Sequence, residues 1–111
     1  VDSTGNCYAV WREYPGMDIY AAISSGSSWT APTPLSITGN NANPVLSVGA
    51  SGVALASWTN LDLNEIRAIW YSGGSWNGFP SILSSENSNF PASAALSANG
   101  FVSWLNQGYI I

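Results

Sequence analysis

The side chains able to carry acid–base chemistry are six carboxylates, Asp2, Glu13, Asp18, Asp62, Glu65 and Glu86, and the only cations are Arg12 and Arg67. There is no histidine, so a Ser–His or Cys–His nucleophile is excluded. Paired carboxylates could still act as acid and base, but most of the six fall in polar loops, where a solvated charge explains them equally well. The segment Asp62-Leu63-Asn64-Glu65 offers the oxygen ligands that Ca²⁺ prefers. It lacks the glycine and the spacing of an EF-hand and reads as a solvated turn. Cys7 is the only thiol, so neither an internal disulfide nor a Cys/His zinc site can form. It reads as a small buried strand residue. These residues predict no enzyme, no cofactor and no metal.

The remaining polarity is uncharged. Charged residues make up 7% of the chain, against about 25% in a typical globular protein. Serine, threonine, asparagine and glycine take their place, which favours an extracytoplasmic or secreted setting. No lysine and a formal charge of −4 argue against a groove that tracks phosphates and against attraction to an anionic membrane. No apolar run approaches the roughly 20 residues that span a bilayer. The first residues lack the basic-then-apolar layout of a signal peptide.

What must position any site is a repeat. Trp11 and Trp58 are 47 residues apart, as are Trp29 and Trp76, and Pro44 and Pro91. At the same offset Gly5 matches Gly52, Ala9 matches Ala56, Ile19 matches Ile66, Ala21 matches Ala68, and Asn40 matches Asn87. A third partial copy follows after a one-residue deletion, its Ser103-Trp104 echoing Ser57-Trp58. A fixed period of this length is the mark of a repeat architecture.

Each unit holds short apolar runs between Gly, Asn and Ser turns, and nothing sustains a helical period. Naming the strands of a unit A to D, the pattern predicts B, C and D at 7–11, 19–24 and 34–38. A full unit follows at 44–48, 53–58, 66–71 and 80–83. The chain then continues with A, B and C at 92–96, 101–104 and 109–111. The prediction is all-β, with four-stranded antiparallel blades of a β-propeller, about two and a half per chain: a partial blade over 1–42, a full one over 43–89 and a partial one over 90–111. A propeller needs about four to eight blades. The chain is therefore expected to be either part of a longer propeller or a protomer that closes by homo-oligomerisation through exposed blade edges. Against closure, the leftover strands number six where a shared blade needs four.

The stretches Gly5-Asn6-Cys7-Tyr8-Ala9-Val10-Trp11, Ile19-Tyr20-Ala21-Ala22, Ser25-Gly26-Ser27-Ser28-Trp29-Thr30-Ala31-Pro32, Leu35-Ser36 and Asn43-Pro44 resemble the sialidase-like, BNR or Asp-box propeller repeats of the bacterial tandem type. The resemblance covers nearly the whole chain. It departs at the turn between strands C and D, where the family's aspartate is replaced by Ser-Gly-Ser-Ser-Trp and Ser-Gly-Gly-Ser-Trp. Two arginines also cannot form the arginine triad of sialidases, so the family implies the fold and not the activity. A second resemblance is to small fucose-binding lectins whose two-blade chains close into a propeller; it rests on Ser57-Trp58 followed by Ile66-Arg67. The first copy departs from it, with Tyr20 at the position of Arg67.

Trp11, Trp29, Trp58, Trp76 and Trp104 recur at matching positions and read as packing anchors between blades, since each large aromatic buries about 150–250 Å². The alternative is a set of sugar-stacking platforms. Trp70 breaks the repeat, its counterpart being Ile23, and reads as a surface or site residue. In a propeller the B–C and D–A loops share one rim. Here those loops diverge between copies and hold most of the charge, which suits function carried on a constant scaffold. The candidate ligand-binding residues are therefore Arg12, Glu13, Tyr14, Asn41, Asp62, Asn64 and Trp70, and the expected ligand is a carbohydrate or a protein.

Overall fold

The computed structural model describes residues 1–36, 38–49, 51–77, 81–84, 88–96 and 99–106, with side chains to residue 77 and at Ile82. The described residues are all-β, with antiparallel sheets and no helix. The first sheet is β1 (Cys7–Glu13), β2 (Asp18–Ser24) and β3 (Thr33–Pro34). The second is β4 (Asn41–Val48), β5 (Ala54–Asn60) and β6 (Glu65–Ser72), with β7 (Ser75–Trp76) and β8 (Ser81–Ser84) both paired to β6. The third is β9 (Ser88–Leu96) with β10 (Asn99–Asn106). The strand expected over 109–111 lies outside the described residues.

The repeat in sequence is a repeat in register. In the first sheet the pairing runs from Cys7↔Ser24 to Glu13↔Asp18; in the second, from Ala54↔Tyr71 to Asn60↔Glu65. Every pair of the second ladder is a pair of the first moved by 47 positions. The turns entering the two ladders also match. Gly5 N–H donates to Asp2 O and Asp2 N–H to Asn6 O; Gly52 N–H donates to Gly49 O and Gly49 N–H to Val53 O. Both turns need a left-handed residue, and Gly5 and Gly52 supply it at φ 88° and 84°.

Two expectations need correcting. The fourth strand, expected as one run over 34–38 and 80–83, is split along the sheet edge. In the second sheet Trp76 pairs with Tyr71 at one end of β6, and β8 pairs with Ile66 to Ala68 at the other. The first sheet does the same with the Ser24↔Trp29 bridge and a two-residue β3. Pro34 has no N–H to extend that ladder, and beyond it Leu35 and Ser36 donate jointly to Ile19 O. The strand expected at 44–48 begins at Asn41, because a register shift between Ala42 and Val45 absorbs Pro44, with Asn43 left-handed at φ 56°.

Residues directly opposite in a ladder share a face, and faces alternate along each strand. One face of each of the first two sheets therefore carries the tryptophan that nears the end of strand B, with Ala9, Trp11 and Tyr20 in the first and Ala56, Trp58 and Arg67 in the second. This is called the tryptophan face, and its opposite the reverse face. Val10, Ile19 and Ala21, from the reverse face of the first sheet, pack with Leu46, Ala56, Trp58 and Ile69 on the tryptophan face of the second. The reverse face of the second sheet gathers Leu55, Ala68 and Trp70. At the backbone level β4 lies against β1 and β2, and β9 lies against β4, β5 and β6.

The consequence shows in burial. Every residue of β5 is buried, whereas β1 is half-buried along its length and exposed at Glu13. Cys7, expected to be buried, is half-buried in the edge strand β1, while its counterpart Ala54, in a strand flanked by β4 and β6, is 0% exposed.

Candidate functional site

The loop that leaves β1, the loop that enters β4 and the loop between β5 and β6 meet at one rim, and Asn40 joins them. Arg12 Nη2 donates to Asn40 Oδ1 at 2.6 Å, Asn40 N–H donates to Asp62 Oδ2 at 3.0 Å, and Leu61 N–H donates to Asn40 O at 2.7 Å. Asn41 N–H reaches back to Met17 O at 3.0 Å. Arg12 Nη1 also donates to the Tyr14 hydroxyl at 3.0 Å, with its guanidinium 5.1 Å from that ring's centre. Three loops from two repeat copies are therefore locked together by neutral amides, one arginine and one carboxylate.

Of the sequence-predicted residues, Arg12, Tyr14 and Asp62 belong to this cluster. Tyr14 is 65% exposed, and Glu13, opposite Asp18 in the ladder, is exposed. Asn41 is fully buried, its side-chain amide donating to Gly39 O at 3.2 Å. Asn64 holds a left-handed turn position at φ 53°, and the equivalent Met17 adopts φ 57°. Trp70 is elsewhere: it sits opposite Leu55 in the ladder, toward the far end of β6.

Sequence reasoning missed four side chains. Asn40, the hub, was legible only as a repeat match. Asn60 is buried, and its Oδ1 accepts from Asp62 N–H at 3.1 Å and Leu63 N–H at 3.2 Å, which shapes the loop. Glu65 and Arg67, two residues apart on one face of β6, form a buried ion pair at 2.7 Å. The i, i+2 spacing of opposite charges in a strand was the available signal. Trp58 Nε1 and Asn60 Nδ2, from the residues opposite this pair in the ladder, are buried donors with no acceptor among the described residues, as are Arg67 Nε and, on the first sheet, Arg12 Nε.

At the start of the chain Asp2 ties a second knot. Its Oδ1 accepts from Thr4 N–H, Thr4 Oγ1 and Asn6 N–H, and its Oδ2 from Asn6 Nδ2 and Tyr8 Oη, all at 2.8–3.0 Å. The Asn6 side chain above all, then Thr4, the Asn6 amide and Tyr8, hold this carboxyl well below the usual range, outweighing desolvation. Burial first, and the Asp2 carboxylate second, push the Tyr8 hydroxyl up to about 12. Tyr8 Oη also lies 3.4 Å from Gly52 O, which joins the matching turns of the two copies.

A cavity of about 330 Å³ opens between the first and second sheets, away from the loop rim. The rings of Tyr71 and Trp76, 5.3 Å apart edge to face, form one wall with Ser75; Thr30, Thr33 and Ala21 form the other. No charged side chain lines it. A second cavity, of about 290 Å³, has Trp70 and Asn77 in its lining, at the repeat positions of Ile23 and Thr30 in the first. Trp70 is therefore the aromatic wall of a repeated concavity.

Among the described residues no three Asp, Glu, Cys or His side chains gather as a metal site would require. Comparison with protein-family models, with curated proteins and with solved structures finds no match to the chain.

Proposed function

We propose that the chain is a run of β-propeller blades of the BNR type, without catalytic activity, that serves as a binding or scaffold module and closes into a ring with further blades. The observation that carries this reading is the repeated placement. The reverse face of the first sheet meets the tryptophan face of the second, and β9 lies against β4, β5 and β6 of the second as β4 lies against β1 and β2 of the first. A head-to-tail contact of this kind closes into a ring when its rotation allows, and a ring of four-stranded sheets is a propeller. The chemistry at the rim supports a scaffold rather than an active site. Arg12 is bound to Asn40 and Tyr14, Arg67 to Glu65, and Asp62 to a backbone amide. These groups hold loops in place. Negative-stain imaging of the concentrated chain tests the reading: discs with a central channel are expected, and open filaments or featureless particles would oppose it.

A second reading, a glycan-binding lectin, is favoured by the cavity between the sheets. Facing hydroxyls from Thr30, Thr33 and Ser75, with the Tyr71 and Trp76 rings beside them, suit an uncharged polyhydroxylated ligand. Tryptophan fluorescence should then respond saturably to a simple sugar such as fucose and lose that response in Trp76→Ala. No response across a monosaccharide panel removes this reading.

A further inference from the structure

We infer that the cavity walled by Trp70 and Asn77 is a sugar site selective for an acetamido group, such as N-acetylhexosamines carry. This rests on the lectin reading and gives it a second pocket of different chemistry. Among the described residues the cavity, of about 290 Å³, is lined by Val53, Trp70, Ser72 and Asn77, none of them charged. Trp70 and Ser72, two residues apart and half-buried in β6, share one face of the strand.

Asn77 is held at two points. Its backbone N–H donates to Trp70 O at 2.8 Å, and its side-chain Nδ2 donates to Ser72 Oγ at 2.7 Å. The second bond orients both partners. With Nδ2 committed to Ser72, Asn77 Oδ1 is an acceptor that no described residue uses, and the Ser72 hydroxyl, already accepting, keeps its proton to donate. An acceptor and a donor thus stand side by side, next to an indole and a valine. A secondary amide carries the complementary set: an N–H for Oδ1, a carbonyl oxygen for the Ser72 hydroxyl, and a methyl for the apolar wall. An acetamido sugar presents all three together with a ring face that can lie against the indole. A sugar hydroxyl in the same place can meet the two polar groups but leaves the apolar wall unfilled.

The first cavity differs at these positions. Ile23 stands for Trp70 and Thr30 for Asn77, and the Thr30 hydroxyl accepts from Ile23 N–H at 3.0 Å. The backbone is the same in both, since Thr30 N–H donates to Ile23 O at 2.9 Å as Asn77 N–H does to Trp70 O. The scaffold therefore accepts either set, and the selectivity lies in the side chains.

Saturation-transfer NMR of the intact chain with N-acetylglucosamine and glucose tests this. N-acetylglucosamine should bind about tenfold more tightly than glucose, the worth of one methyl group in an apolar pocket, with the strongest transfer on its acetamido methyl. Trp70→Ile with Asn77→Thr, the residues of the first copy, should bring the two sugars level. Sugars that bind without that preference, or a preference that survives the double substitution, overturn the inference and leave the lectin reading to the first cavity. No transfer to either sugar or to any other monosaccharide overturns both. N-acetylalanine amide competing as well as the sugar overturns the assignment to a sugar in favour of an acetylated peptide. If the double variant fails to fold, the ratio between the two sugars and the methyl signal in the native chain still decide.

Discussion

Trp11 and Trp58 occupy one position of the repeat, each near the end of its strand, yet Trp58 is sealed and Trp11 is half-exposed with Tyr20 stacked on it. The same contrast runs through their neighbours. Asn60 and Glu65, opposite each other at the end of the second ladder, are buried; Glu13 and Asp18, in the same place in the first, are exposed and half-buried. The strands are equally well formed in both. What differs is the surroundings: β5 lies between β4 and β6 with the first sheet packed on its tryptophan face, whereas β1 is the edge strand of its sheet. In a repeat protein, burial belongs to the interface between units rather than to the unit, so equivalent residues can carry very different energies.

The comparison makes graded predictions. Trp58→Ala should cost about 3–5 kcal/mol of folding stability, and Trp11→Ala about 1 kcal/mol or less in the dilute chain, by urea unfolding. Equal losses would erase the distinction between the sheets. Next in size, Glu65→Ala leaves Arg67 charged and unpaired in the core and should cost about 3 kcal/mol, while Glu65→Leu with Arg67→Met should restore most of it. Asp18→Ala, the counterpart of Glu65→Ala, should change stability by less than about 0.5 kcal/mol.

The two matching turns should separate by pH. The Asp2 carboxyl is held below its unfolded value, so its contribution is full above about pH 4 and is lost as the pH falls further. Asp2→Asn should lower the melting temperature at neutral pH and flatten that acid limb. Tyr8 acts in the opposite sense: its pKa is raised to about 12, so its share is present below about pH 10 and disappears as the pH climbs toward 12. The smallest effect lies in the loops after β1 and β5. Met17 and Asn64 share a left-handed backbone, which asparagine tolerates better than methionine. Met17→Asn should gain roughly 0.5 kcal/mol and Asn64→Met should lose a similar amount.

Much of the strand layout was legible in the sequence, because alternating apolar runs and turn residues are local signals and the 47-residue period supplied each of them twice. The split of the fourth strand was not. It depends on where Trp76 and β8 each find room along β6. The rim was legible as divergent loops, and three of the residues proposed for it do meet there. Its hub was not, because an asparagine that joins three loops looks like any other turn asparagine. The exposure of Cys7 and Trp29 was illegible for a deeper reason. Their sequence surroundings match those of Ala54 and Trp76, and only the arrangement of whole sheets separates them.

Solution mass by light scattering after size exclusion tests the account most directly, because blades that close into a ring with copies of the chain should assemble when copies are abundant. Over a micromolar concentration series the account predicts growth from the 11.7 kDa chain to a single discrete multiple of it. A mass fixed at 11.7 kDa up to the solubility limit would contradict it.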